Sequence, residues 1–230
     1  MKSLFEKYKI NLNETQISLF EKFLELFIAN NSVMNLSAIR DSEWIVVKHF
    51  IDSLILSKFT NINWKVADIW SGWWFPWIPL KIFFPEIELT MIDSVSKKIK
   101  ASSEFSEELW IITNWLAGRA EEIWHDKKER EKYDYVVSRA MAYFPSLLEF
   151  SLPLVKIWWY FIAYKLDNEL ELSEWKKALQ ELWWIIEKIE KYEDIHSITS
   201  LLLSLKNENT ESEHSIEASK LLSIITSRHI

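Results

Sequence analysis

The chain has 230 residues, no cysteine and a formal net charge of −7. The missing cysteines exclude a disulfide framework and thiolate metal sites, and the acidity argues against a surface coated throughout by nucleic acid. The charge is uneven, however: residues 1–165 are close to neutral and residues 166–230 carry most of the acidic excess, which leaves room for a local basic face.

The opening Met1-Lys2-Ser3-Leu4-Phe5-Glu6-Lys7 is charged and amphipathic, unlike a cleavable signal. No apolar run reaches the roughly 18 residues needed to span a bilayer. A soluble cytoplasmic protein with one α/β core and an appendage is expected. Residues 1–60 read as a helical region. Leu19, Phe20, Phe23, Leu24, Leu26 and Phe27 recur at helical spacing, Asn30-Asn31-Ser32 breaks the pattern, and Asp41-Ser42-Glu43 starts a second helix through His49 and Asp52. Residues 61–206 alternate. Strands are expected at Lys65–Trp70, Ile87–Asp93, Ile111–Ala117, Tyr133–Ser138, Tyr160–Lys165, Ile185–Lys191 and Ile198–Lys206, and helices at Pro76–Phe84, Val95–Leu109, Pro145–Lys156 and Asn168–Leu182. Alternation of this kind argues for a mainly parallel sheet of about seven strands covered by helices, with the last two strands paired as an edge hairpin. Residues 207–230 form an acidic tail with a helix expected at Ser215–Thr226.

Composition holds one anomaly: 2 Gly against 14 Trp. A chain of this length ordinarily carries roughly 16 Gly, at about 7% usage. Asp68-Ile69-Trp70-Ser71-Gly72-Trp73-Trp74-Phe75-Pro76-Trp77 reads as a cofactor loop if its Trp are replaced by Gly. Such a loop needs residues without a Cβ to turn sharply and approach a ligand. Trp158-Trp159 and Trp183-Trp184 likewise fall where a helix is expected to end, the usual place of glycine. Two readings stand: a Trp-rich chain with aromatic core and interface residues, or a gene whose UGA codons specify glycine and are written here as tryptophan. Trp44, Trp115 and Trp175 fit the second reading least well.

The first strand carries Asp68 and runs into this loop; the second ends in Asp93. In a doubly wound sheet this edge borders the ligand crevice, and an acid at Asp93 can accept hydrogen bonds from ribose hydroxyls. Asp93 also suits the N-terminus of the following helix. Pro76 and Pro79 reduce the N–H donors available to a pyrophosphate at the helix start. A nucleoside cofactor without phosphates, S-adenosylmethionine, fits better than a dinucleotide. Lys97, Lys98 and Lys100 form a basic cluster; Lys127, Lys128, Arg130 and Lys132, interleaved with acids, read as a solvated helix face.

Six ordered segments carry a family resemblance: Met34-Asn35-Leu36-Ser37-Ala38-Ile39, Lys48-His49-Phe50-Ile51-Asp52-Ser53, the loop at 68–80, Ile92-Asp93-Ser94 with Lys97-Lys98-Ile99-Lys100, Gly118-Arg119-Ala120-Glu121-Glu122, and Ser138-Arg139-Ala140. Over roughly residues 20–206 the chain resembles the bacterial small-subunit (16S) rRNA guanine-N7 methyltransferases, historically called glucose-inhibited division protein B. The resemblance implies a Rossmann-like methyltransferase fold with S-adenosylmethionine as cofactor and small-subunit RNA as partner. It places Trp70, Gly72, Phe75, Asp93, Ala120, Glu121 and Arg139 around the cofactor, and Lys48, His49, Lys97, Lys98, Lys100 and Lys165 as candidate RNA contacts. Where that family has glycine, this chain has Trp at 70, 74, 77, 110, 158 and 159; a literal Trp70 would fill the space of the methionine or ribose.

Guanine N7 carries a lone pair and no proton, so no general base and no metal are required, and alignment with exclusion of water suffices. Arg139 is the candidate positioning residue, with an ion pair to Asp68 or Asp93 as the structural alternative. His49 and Asp52, three apart on one helix, also suit a local pair. A monomer is expected. The competing function, should the Trp be literal, is a catalytically inactive methyltransferase-like module that binds RNA or the ribosome; a methyltransferase with another substrate is the other alternative.

Overall fold

A computed structural model describes residues 1–69, 74–139, 144–166, 179, 184–193 and 199–207. Helix α1 (Lys2–Lys7) precedes the long α2 (Glu14–Met34). A reciprocal capping box starts α2: the Asn13 side chain accepts from the Gln16 N–H, and the Gln16 side chain accepts from the Asn13 N–H, each at 2.9 Å. Ile17, Phe20, Phe23 and Phe27 make its buried stripe. The expected break at Asn30-Asn31-Ser32 does not occur. Asn30 and Ser32 donate to carbonyls of the preceding turn, at Leu26 and Ala29, and buried Asn31 bonds the backbone of Ser37 and Ile39. The helix stops instead at Asn35, which takes the left-handed conformation.

A second helical run opens as expected, with Asp41 accepting from the Trp44 N–H at 2.9 Å. It comprises α3 (Ser42–Ile45), a π-helical stretch Val46–Ile51, α4 (Asp52–Leu54) and a 3₁₀ turn Ile55–Lys58.

Seven strands follow: β1 (Lys65–Ile69), β2 (Glu88–Asp93), β3 (Asn114–Ala117), β4 (Tyr133–Arg139), β5 (Val155–Leu166), β6 (Trp184–Glu193) and β7 (Thr199–Asn207). Their order in the sheet is β3-β2-β1-β4-β5-β7-β6. The first five run parallel, while β7 is antiparallel to β5 and β6, which is the expected edge hairpin. Between them lie α5 (Trp77–Phe83), α6 (Ser96–Glu108), α7 (Ala120–Ile123) and α8 (Phe144–Ser151).

Alternation along the strands sorts the core into two layers. Val66, Met91, Val137, Ile162 and Tyr164 face α2, the second helical run, α5 and α6, with Phe20, Phe23, Phe27 and Phe50. Ala67, Ile69, Ile92, Val136, Phe161 and Ala163 face the opposite layer, with Leu147, Leu148 and Leu152. Each fully buried aliphatic or Phe side chain contributes about 1.5–3 kcal/mol. The N-terminal helices are therefore bonded into the main core.

Most strand and helix boundaries of the sheet region fall within two residues of expectation, and three differ by more. Strand β3 begins at Asn114 rather than Ile111, because the Ile111 N–H closes the end of α6 on the Ser106 carbonyl at 2.8 Å. Helix α8 ends at Ser151 rather than Lys156; a 3₁₀ turn Leu152–Leu154 follows, and Pro153 has no N–H to extend an α-helix. Consequently β5 starts at Val155 and runs through Trp158 and Trp159, which separate no helix from a strand. The pairing with β4 slips between Tyr133↔Val155 and Tyr135↔Tyr160, and Trp158 within the slip has φ 70°. Residues 127–131 form turns instead of a helix face. The expected helices at Asn168–Leu182, apart from Leu179, and Ser215–Thr226 lie outside the described residues.

Candidate functional site

The chain builds β1, β2 and β3 outward in one direction, then returns to place β4 on the other side of β1. This reversal falls at the carboxyl ends of β1 and β4, the position where open α/β sheets take ligands in a crevice. Asp68 on β1, Asp93 on β2 and Arg139 on β4 stand at that edge. Trp70 and Gly72 lie outside the described residues.

Asp68 is 1% exposed, and neither carboxylate oxygen has a hydrogen-bond partner among the described residues. Burial, reinforced by the neighbouring Asp93 charge and opposed by Arg139, holds its pKa well above the usual carboxylate range. Sequence reasoning noted Asp68 as a strand-end acid without assigning it to the site. The available signal was an acid inside the apolar run Val66–Ile69, where an unpaired charge is costly.

Asp93 is 4% exposed. Its Oδ1 accepts from the Val95 N–H at 2.8 Å and so shapes the turn into α6, while its carbonyl accepts from the Gly118 N–H at 3.1 Å. The second bond ties the end of β3 to the end of β2 and sets buried Ala120 at the start of α7 beside the same edge. Glu121 is the second residue of α7; its side chain is outside the description.

Arg139 pairs with neither strand-end acid, contrary to the structural alternative drawn from sequence. Its guanidinium donates to Asp52 Oδ2 at 2.7 Å, to the Lys48 carbonyl at 2.7 Å and to Ser53 Oγ at 3.3 Å. On the same face Tyr164 of β5 donates its hydroxyl to the Ser53 carbonyl at 2.7 Å. Two strands thus hold the π-helical segment and its exit against the crevice.

His49 does not pair with Asp52. Its Nε2 lies 2.9 Å from Ser37 Oγ, and its ring stacks on Phe75 at 4.6 Å and meets Phe27 edge-on at 5.7 Å. Burial first, and the Arg139 charge second, lower its pKa to about 3. The imidazole is neutral at physiological pH, so any contact it makes with RNA is not that of a cation. Half-buried Phe75 is held by Phe23 and Phe27 as well, which fixes the exit of the loop after β1.

The Lys48 ammonium sits 5.9 Å above the Trp44 ring. Lys97, Lys98 and Lys100 occupy the first turns of α6, immediately after Asp93, with Lys100 3.9 Å from Glu104. Lys165 lies in β5 opposite Leu201; its side chain is outside the description. The site thus brings together Phe75, His49, Lys48 and Arg139 on one side and Asp93 and Ala120 on the other. Among the described residues no group of three His, Cys, Asp or Glu side chains is arranged to hold a metal, and no helix is long and apolar enough to cross a membrane.

The fold is shared with known proteins. The PH0226 protein from Pyrococcus horikoshii matches 78% of this chain and 98% of its own at TM-score 0.56 and 17% identity. The TYW2 protein of P. horikoshii, solved in complex with MeSAdo, matches 70% of this chain and 63% of its own at TM-score 0.56 and 10% identity. Sequence relatives are closer. The ribosomal RNA small subunit methyltransferase G of Alkaliphilus oremlandii is 37% identical over 217 residues, covering 92% of this chain and 91% of that one. The protein of the same name from Acetivibrio thermocellus is 40% identical over 187 residues, covering 80% and 77%. The family model for rRNA small subunit methyltransferase G, GidB, matches residues 16–198, and the chain belongs to that family.

Proposed function

We propose that this protein transfers a methyl group from S-adenosylmethionine to N7 of a guanine in small-subunit (16S) ribosomal RNA. Family membership across residues 16–198, joined to the crevice at the sheet's reversal point, carries the reading. The residues present fit the cofactor. Asp68 supplies a buried carboxylate that lacks a donor among the described residues, and Asp93 a second acid at the neighbouring strand end. When bound, S-adenosylmethionine supplies an electrophilic methyl on a sulfonium sulfur.

The protein's own part is alignment. Phe75 and Ala120 give apolar walls that exclude water. Asp93 accepts from ribose hydroxyls, with Trp70, Gly72 and Glu121 assigned to the same cofactor by their place in the chain. Arg139 keeps the 48–53 segment against the crevice. Lys48, Lys97, Lys98, Lys100 and Lys165 are assigned to the RNA backbone, with His49 beside them as a neutral group. N7 needs no deprotonation, so holding it in line with the methyl carbon is sufficient. Residues 1–60 serve as a helical region on the core 61–206, and 207–230 as an acidic tail. We place the protein in the cytoplasm as a monomer. Family membership does not favour an inactive binding module or a different methyl acceptor.

The test is transfer of labelled methyl to small ribosomal subunits that lack the modification, with fully modified subunits as control. Label at guanine N7 in unmodified subunits alone is expected. Binding of S-adenosylhomocysteine without RNA labelling would redirect the reading to another substrate. Absence of both would leave the inactive module.

A further inference from the structure

The backbone and the written side chains disagree at a defined set of positions. Among the described residues other than glycine, seven have positive φ, and four of these are tryptophans: Trp64 (67°), Trp74 (71°), Trp110 (59°) and Trp158 (70°). Ten of the 14 tryptophans lie in the described residues, so four in ten adopt a conformation that a Cβ disfavours.

Trp110 shows the conflict most sharply. The Trp110 N–H bonds the Glu107 carbonyl at 3.0 Å and the Ile111 N–H bonds the Ser106 carbonyl at 2.8 Å, which together make a Schellman ending of α6. Trp110 occupies its left-handed position, the one glycine fills most often. No packing compensates, since the residue is 88% exposed; Trp64 and Trp158 are 64% and 50% exposed.

A second sign is independent of backbone angle. The indole N–H groups of Trp74, Trp77, Trp124 and Trp184 are buried with no hydrogen-bond partner among the described residues. Buried indole N–H groups ordinarily find one. Conversely, Gly118 has no positive φ, and a Cβ placed there would meet only the Ile123 side chain at 3.4 Å. A written glycine thus stands where a side chain nearly fits, while tryptophans stand at left-handed backbone positions or bury an indole N–H that no described residue accepts.

We infer that glycine occupies positions 64, 74, 77, 110, 124, 158 and 184, which carry one sign or the other, and position 70, which the sequence places in the same loop, in the protein its ribosomes make, because UGA codons of this gene are decoded as glycine. A single codon reassignment accounts for the shortage of one residue and the excess of the other. It also takes tryptophan side chains out of positions 70, 74 and 77 after β1, where the nucleoside cofactor is proposed to bind. Trp44, Trp115 and Trp159 carry neither sign and fall outside the inference.

Peptide mass spectrometry of the protein isolated from its source tests this without reference to activity, so it stands or falls separately from methyl transfer. The tryptic peptide spanning residues 66–81 contains positions 70, 73, 74 and 77, and that spanning 101–119 contains position 110. Glycine masses at 70, 74, 77 and 110 are expected, with an intact mass below that of the written chain by one Trp-to-Gly difference for each changed position and a correspondingly lower absorbance at 280 nm. Tryptophan at any of these four positions, or UGG codons there in the gene, overturns the inference.

Discussion

Arg139 at the end of β4 and Asp52 at the start of α4 form an ion pair of 2.7 Å, with both side chains mostly removed from solvent. The same guanidinium reaches the Lys48 carbonyl, so one side chain secures both ends of a helical turn against the sheet. The fork geometry of arginine makes this possible; a lysine ammonium lacks the planar pair of donors. The π-helical winding of Val46–Ile51 belongs to the same arrangement, and π segments recur at functional sites.

Arg139→Ala is expected to lower methyl transfer at least roughly tenfold, since a hydrogen bond to a charged group is worth about 1.5–3 kcal/mol. Arg139→Lys should rescue only part. Asp52→Asn separates two roles. If Arg139 acts by holding the 48–53 segment, the Asp52 variant loses activity in parallel. If Arg139 touches RNA or cofactor directly, Asp52→Asn is milder. Labelled methyl incorporation, with circular dichroism as folding control, reads both. Near-normal activity of Arg139→Ala would remove it from the site.

Asp68→Asn is expected to stabilise the cofactor-free protein at neutral pH while weakening cofactor binding. The sign follows from a folded pKa raised above the unfolded 3.8. The folded state holds the proton more tightly, so this contribution is present below 3.8 and is lost as pH rises through the folded value. The advantage of the Asn variant should therefore grow with pH. Thermal melts at pH 5 and pH 8, beside calorimetry with S-adenosylhomocysteine, check both halves. A variant less stable than the parent at pH 8 would show that Asp68 is already satisfied without ligand.

The edge carrying Asp68, Asp93 and Arg139 was legible because short apolar runs ending in polar residues are a local signal. The start of β3 was not, because Ile111 and Ile112 look like strand residues while the Ile111 N–H serves the end of α6. The start of β5 was hidden by apolar spacing that continues past Pro153. Partners distant along the chain were also beyond reach. Nothing local announces that Arg139 meets Asp52, or that Ser37 meets His49 across the end of α2. Family resemblance placed these residues near one site but did not show which of them touch.

His49 gives a pH dependence of the opposite sign. Its pKa falls from 6.5 in the unfolded chain to about 3 in the fold. The unfolded state then binds the extra proton, so this contribution is present above 6.5 and is lost as pH falls toward 3. His49→Phe retains an aromatic ring against Phe75 and removes the titrating group together with the Ser37 bond. It should narrow the loss of stability between pH 7 and pH 5 relative to the parent. Ser37→Ala should leave the titration in place while lowering stability by about 0.5–1.5 kcal/mol, the worth of one neutral hydrogen bond. Identical pH slopes for parent and His49→Phe would mean that the imidazole titrates alike in the folded and the unfolded chain, contrary to its burial.

Trp110→Gly is expected to stabilise the protein, a rare outcome for removal of a large apolar side chain. The left-handed conformation costs a residue with a Cβ about 1–2 kcal/mol, and glycine returns about 0.5–1 kcal/mol of that in backbone entropy. With the indole 88% exposed, little burial is lost. A net gain of several tenths to about 1 kcal/mol corresponds to a Tm rise of up to about 2–4 °C in a chain of this size. Trp115→Gly is the contrasting control. Trp115 pairs with Met91 in β3 and meets the Trp77 ring edge-on at 5.3 Å, so glycine there removes a strand residue and a contact. Melting the two variants beside the parent separates conformation from composition. Tm should rise for position 110 and fall for position 115. A fall at both would show that the α6 ending tolerates its tryptophan and that the left-handed backbone at 110 is not a glycine position.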